Sequence, residues 1–175
     1  MTKAEQHKMI EVILYILNKT GGMDYYRLFK ILYFANQRSL VEWGHLMTND
    51  KFCALPHGPV PTMLYDSIKG HAKIIPDLAC NICVIDYFLL PKREANMDYL
   101  ANYDVEVLND CISKYKGMSF TDLEKTSHTE CWEKARMTPG NHIIPFGDIA
   151  RDGGANEILV NYINEMESFN EAFGY

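Results

Sequence analysis

Apolar residues recur at helical intervals over most of the chain. Ile10, Ile13, Leu14 and Leu17 stand at i, i+3, i+4 and i+7, and Gly21-Gly22 follows them, so a first amphipathic helix is predicted to end there. In MDYYRLFKILYFANQRSLVEWG, Asp24 is placed as an N-cap, Met23 and Leu28 form a hydrophobic staple across it, and Leu28, Leu32 and Ala35 share one face. Tyr25, Tyr26, Phe29, Tyr33 and Phe34 crowd the same stretch, which predicts a central helix buried on more than one side.

The period then changes. Residues 47–50 read as a turn and Lys51 to Leu55 as a short strand, after which Gly58 and Pro59 suit the N-cap and N1 positions of a third helix running to Gly70. The run from Ile82 to Leu90, closed by Pro91, is the strongest strand signal and is expected to pair with the strand before His57. Val105, Leu108, Ile112 and Tyr115 predict a fourth helix. Ser119 with Asp122 predicts a cap for a short fifth one, and Ser127 with Glu130 a capping box for a sixth that carries Trp132 and ends before Pro139. Ile158, Leu159, Tyr162, Ile163, Met166 and Phe169 mark a last amphipathic helix over about 155–172. The expected fold is mainly α: one compact domain over residues 1–175, of about six to seven helices with a small antiparallel β-hairpin or ribbon.

Composition narrows the function classes. A net charge of −6 argues against a nucleic-acid binder, and no basic residue follows Arg151, so the last helix is acidic and suits either solvent or a basic protein partner. No apolar run approaches the roughly 20 residues that span a bilayer, and the N-terminal stretch carries polar residues at helical spacing unlike a signal peptide, so a cytoplasmic location is expected. In that compartment the five cysteines are expected to be thiols. Cys80 and Cys83 form a C-x-x-C, but no second ligand pair follows for a metal, and the pair leads into a strand rather than opening a helix as a redox centre would.

No recognised catalytic motif and no cofactor signature occurs. Cys53 with His57, and His128 with Cys131, leave Cys–His chemistry arithmetically open, and His57 with His128 would serve a small enzyme if the fold joined them. In CALPHGPVPTMLY, Pro59 and Pro61 fix the backbone around His57 and Gly58. Such a rigid corner suits a structural crosslink, a partner contact or catalysis.

In order along the chain stand LFKILYFAN (residues 28–36), Trp43-Gly44, His57-Gly58-Pro59-Val60-Pro61 with Leu64-Tyr65, and SHTECWEKAR (residues 127–136). Together these motifs resemble the Panacea domain, the SocA-like antitoxin family also met among phage-associated proteins, over roughly residues 10–136. The tail beyond Arg136 lies outside the resemblance. The resemblance implies a mainly helical domain with a small β element and an antitoxin that neutralises a cognate toxin by direct protein binding in a bacterial or phage toxin–antitoxin system. A proteolytic adaptor that delivers its partner to a protease is the alternative it carries. Tyr33, His57, Gly58, Pro59, Val60, His128 and Trp132 are the partner-binding residues expected on this reading, and a homodimer is left open.

Overall fold

The computed structural model describes residues 2–71 and 75–173. The first helix, α1 (Lys3–Thr20), opens on a capping box in which Thr2 and Glu5 satisfy each other's backbone N–H, and it closes on Gly21 in the left-handed conformation. A two-residue strand, β1 (Met23–Asp24), leads into α2 (Tyr25–Trp43), where Asp24 accepts the N–H of Arg27 as the N-cap. Leu28 to Asn36 are all buried, so α2 is covered on every side along its first half, as its aromatic content predicts.

The remaining elements wrap this helix. They are β2 (Phe52–Leu55), β3 (Gly58–Pro61), α3 (Thr62–Lys69), α4 (Leu78–Asn81), β4 (Ile82–Ile85), β5 (Phe88–Pro91), α5 (Asn102–Tyr115), α6 (Phe120–Ser127), α7 (Glu130–Met137), α8 (Phe146–Asp152) and α9 (Glu157–Phe173). The fold is mainly α with small antiparallel ribbons, and nine helices stand among the described residues. The two beyond the seven that periodicity predicts are the short α4 and α8. Strand order is β1-β5-β4 in one sheet and β2-β3 in the other. Helices α5 and α8 and strand β3 pack directly on α2, and the buried side chains form one continuous cluster. No helix among the described residues is long and apolar enough to cross a membrane.

Three local expectations are corrected. The strand before His57 pairs not with residues 82–90 but with Gly58–Pro61, in register Phe52↔Pro61 to Leu55↔Gly58. Residues 82–90 themselves fold back at Asp86, which takes φ of 57°, so that β4 pairs with β5. Each run thus finds its partner across a tight turn, the shortest loop to close. Second, Gly58 and Pro59 are strand, not helix start. The N-cap of α3 is Pro61, which has no capping side chain, and the buried carboxylate of Asp50 accepts instead from Met63 N, Leu64 N and Thr62 Oγ1 at 3.0 to 3.1 Å. Proline is tolerated in β3 because this strand has β2 on one side only and its two Pro residues have no N–H to pair. Third, Ser127 is the last residue of α6 and caps nothing. The N-cap of α7 is Thr129, again without a side-chain cap, and Asp152 reaches across to accept Cys131 N at 2.9 Å.

Candidate functional site

Three elements converge on the tip of the β2–β3 hairpin. From α2 come Tyr26 and Lys30, one turn apart. From α6 come Phe120, Glu124 and Ser127, at i, i+4 and i+7 on one face. The junction between α6 and α7 supplies His128, and α7 supplies Trp132. These elements therefore collect a lysine, a carboxylate, a serine hydroxyl, one imidazole and three aromatic rings around His57-Gly58.

Backbone carbonyls of the hairpin receive most of the ties. Tyr26 Oη donates to His57 O at 3.0 Å, Lys30 Nζ to Pro59 O at 3.0 Å, Trp132 Nε1 to Leu55 O at 3.0 Å, and Arg136 to Ala54 O at 3.4 Å. The hairpin is thereby held by side chains from α2 on one edge and α7 on the other. At its tip the His57 ring carries Nδ1 2.8 Å from Glu124 Oε1 and lies edge-on to Phe120, which stacks on Tyr26 with centroids 4.3 Å apart. The His57 side chain is 67% exposed, whereas Gly58, Pro59 and Val60 are buried.

Gly58 has φ of +101°, and a Cβ there would meet Lys30 Nζ and Ser127 Oγ at 2.6 Å. The glycine is required twice, by its backbone conformation and by the space the lysine fills. Lys30 is fully buried, and burial pushes its amine down to about 7 while the charge of Glu124 opposes that fall. Its Nζ sits 4.8 Å from the centroid of the Tyr26 ring. Burial raises the Tyr26 hydroxyl to about 12, with Glu124 and Asp24 adding to it.

His128 stacks face to face on Trp132 at 3.7 Å, and its buried Nε2 has no hydrogen-bond partner. Burial lowers the pKa of this imidazole, Glu124 pulling the other way and the charges of Lys30 and His57 reinforcing the fall. His57 and His128 therefore share a corner but no hydrogen bond. Burial also raises the thiols of Cys53 and Cys131, the latter to about 12, so both nearby sulfurs are held as thiols rather than nucleophilic thiolates.

Of the residues expected from sequence, His57, Gly58, Pro59, Val60, His128 and Trp132 do come together. Tyr33 instead lies in the core with no exposed surface, its hydroxyl 3.4 Å from Cys131 Sγ and its ring edge-on to Phe52. Lys30, Glu124 and Phe120 belong to the corner although sequence reasoning did not single them out. A lone lysine inside an aromatic, otherwise buried face was the available signal for Lys30. Cys80 is exposed in α4 and Cys83 half-buried in β4. Both are free, and no group of three or more metal-ligating side chains gathers among the described residues.

Comparison with known proteins adds one match. The family model described as antitoxin SocA-like, Panacea domain, matches residues 28–133, from the first buried turn of α2 to one residue past Trp132. Neither a curated protein nor a solved structure matches the chain.

Proposed function

The chain belongs to the SocA-like antitoxin family, Panacea domain, and from that premise we propose that it neutralises a toxin protein of a bacterial or phage two-gene system by direct contact. The observation that carries this reading is the construction of the corner. Three carbonyls at the end of the hairpin, those of Leu55, His57 and Pro59, are tied to side chains of helices, and the His57 side chain is left presented to solvent beside the half-exposed Phe120 ring. A loop already ordered in this way meets a partner without further entropy loss, which favours recognition. The thiols at the corner are held protonated, and His57 and His128 make no bond to each other, so the features that an enzyme would need are the ones the geometry lacks support for.

Co-expression with each adjacent reading frame of the native locus tests the proposal. A neighbour that arrests growth alone and is harmless in company supports it, and no toxic neighbour overturns it. Within that assay His57→Ala should weaken neutralisation roughly ten-fold, the effect of losing a single contact of about 1.4 kcal/mol. Its hydrogen bond with Glu124 lies at the surface and adds at most about 1 kcal/mol, so thermal unfolding should stay nearly unchanged. Undiminished neutralisation by His57→Ala would remove His57 from the contact.

A further inference from the structure

The last helix carries an apolar face that the other described residues leave largely exposed. Val160 and Ile163 point into the core, and Phe146 N donates to Glu167 Oε2, so α9 is firmly seated on one side. On the other side Leu159, Tyr162, Met166, Phe169 and Phe173 follow one another at spacings of three, four, three and four residues. That is the period of a single coiled-coil seam. Leu159 is half-buried, while Tyr162 is 50%, Met166 41%, Phe169 52% and Phe173 64% exposed. Phe169 and Phe173 pack on each other with centroids 4.5 Å apart, a pair of rings in contact at the surface. Contiguous apolar surface of this kind on a seated helix marks a contact site.

Charge selects the occupant. The segment after Arg151 holds five carboxylates and no lysine, arginine or histidine, so it accounts for all but one of the net negative charges of the chain. Arg151 already pairs with Glu157 and Lys51 with Glu171, and Glu165, beside the seam, has no ion-pair partner among the described residues. A bilayer-seeking helix would need basic flanks to meet anionic headgroups. A second copy of α9 would set Glu165 and its neighbours against the same charges. A basic helix meets neither objection.

We propose that the exposed seam of α9 docks an amphipathic helix of a partner protein, with apolar residues at heptad spacing flanked by lysine and arginine. This goes beyond the antitoxin reading and does not rest on it, since α9 lies outside the segment that the family model matches.

The test uses the full chain and three synthetic helical peptides of 18 residues, on the order of five turns. One carries leucines at heptad spacing with lysine flanks, one the same leucines with glutamate flanks, and one lysine flanks with serines in place of the leucines. By fluorescence anisotropy the first should bind at least ten-fold tighter than either other peptide. The double variant M166D/F169D, altered only at exposed side chains and checked by thermal unfolding, should lose that binding at least ten-fold. Glu165→Lys should narrow the preference for lysine over glutamate flanks while leaving the fold untouched. Equal binding of the lysine and glutamate peptides, or of the leucine and serine peptides, overturns the proposal. So does binding that M166D/F169D leaves intact. Dimerisation in sedimentation, or binding to phosphatidylserine vesicles, that M166D/F169D abolishes would reassign the seam to a second copy or to a bilayer and equally overturn it. Failure here leaves the co-expression result standing, and a failed co-expression assay leaves the peptide result standing.

Discussion

Replacing Lys30 by Met removes the amine and keeps an unbranched apolar chain in its place, which isolates the electrostatics of the corner. Burial takes this lysine from its ordinary 10.5 to about 7. The folded protein therefore releases the proton near pH 7, whereas the unfolded chain holds it up to about 10.5, and between those values the unfolded state binds one more proton. Stability must then rise with pH across that window, by up to about 1.4 kcal/mol per pH unit. Allowing for half-titration at the lower end, the wild type should gain about 2 kcal/mol from this group between pH 7 and pH 9. Other groups act in the opposite sense, since burial raises Cys111 to about 11 and Cys131 to about 12 and so favours the unfolded state as pH rises. Those groups are present in both proteins and cancel in the difference. The lost hydrogen bond to Pro59 O is independent of pH and shifts the variant by a constant. Urea unfolding of wild type and Lys30→Met at the two pH values reads the quantity directly. A difference between the two proteins that stays constant from pH 7 to pH 9 would refute a neutral, buried amine.

Gly58→Ala should destabilise by about 2–4 kcal/mol in urea unfolding, because alanine is strained at a positive φ and its Cβ displaces Lys30 Nζ or Ser127 Oγ. A loss under about 1 kcal/mol would mean the hairpin tip shifts freely. Asp50→Ala should cost about 2–4 kcal/mol and lower protection of the Met63 and Leu64 amides in hydrogen exchange, since both N–H groups lose their acceptor. Unchanged exchange at those amides would show that Asp50 does not cap α3.

Long amphipathic periods were legible in the sequence and short-range pairings were not. Four segments (α1, α2, α5 and α9) repeat their apolar residues over two or more turns, enough for the period to outweigh local exceptions. Helices α3 and α7 exist as predicted but start later, at Thr62 and Glu130, because their capping carboxylates, Asp50 and Asp152, come from other parts of the chain and leave no S-x-x-E pattern at the helix start. The hairpins failed for a related reason. Gly58 and Pro59 read as helix start because the fixed φ of Pro59 is compatible with both states, and the edge position that tolerates proline in β3 exists only once β2 has paired. At the corner, motif residues were found by order along the chain. Lys30 and Glu124 were missed because what matters about them is their burial and proximity, and neither has a sequence period.

The geometry of the corner also bounds how much binding it can supply. Stable protein contacts bury on the order of 800 Å² on each partner. At the hairpin tip Gly58, Pro59 and Val60 are already buried, so the tip itself leaves Pro56, His57 and the flanking Phe120 exposed. One pyrrolidine, one imidazole and one phenyl ring fall well short of that area. On the proposed reading, neutralisation by contact therefore requires further surface elsewhere on the chain, and the corner would set orientation through a group whose position is fixed by Glu124 and Phe120. This is why loss of His57 should scale neutralisation down by a factor rather than abolish it. A His57→Ala variant that lost all neutralisation with an intact fold would instead place most of the binding energy in that one side chain and overturn the reading of a shared, wider contact surface.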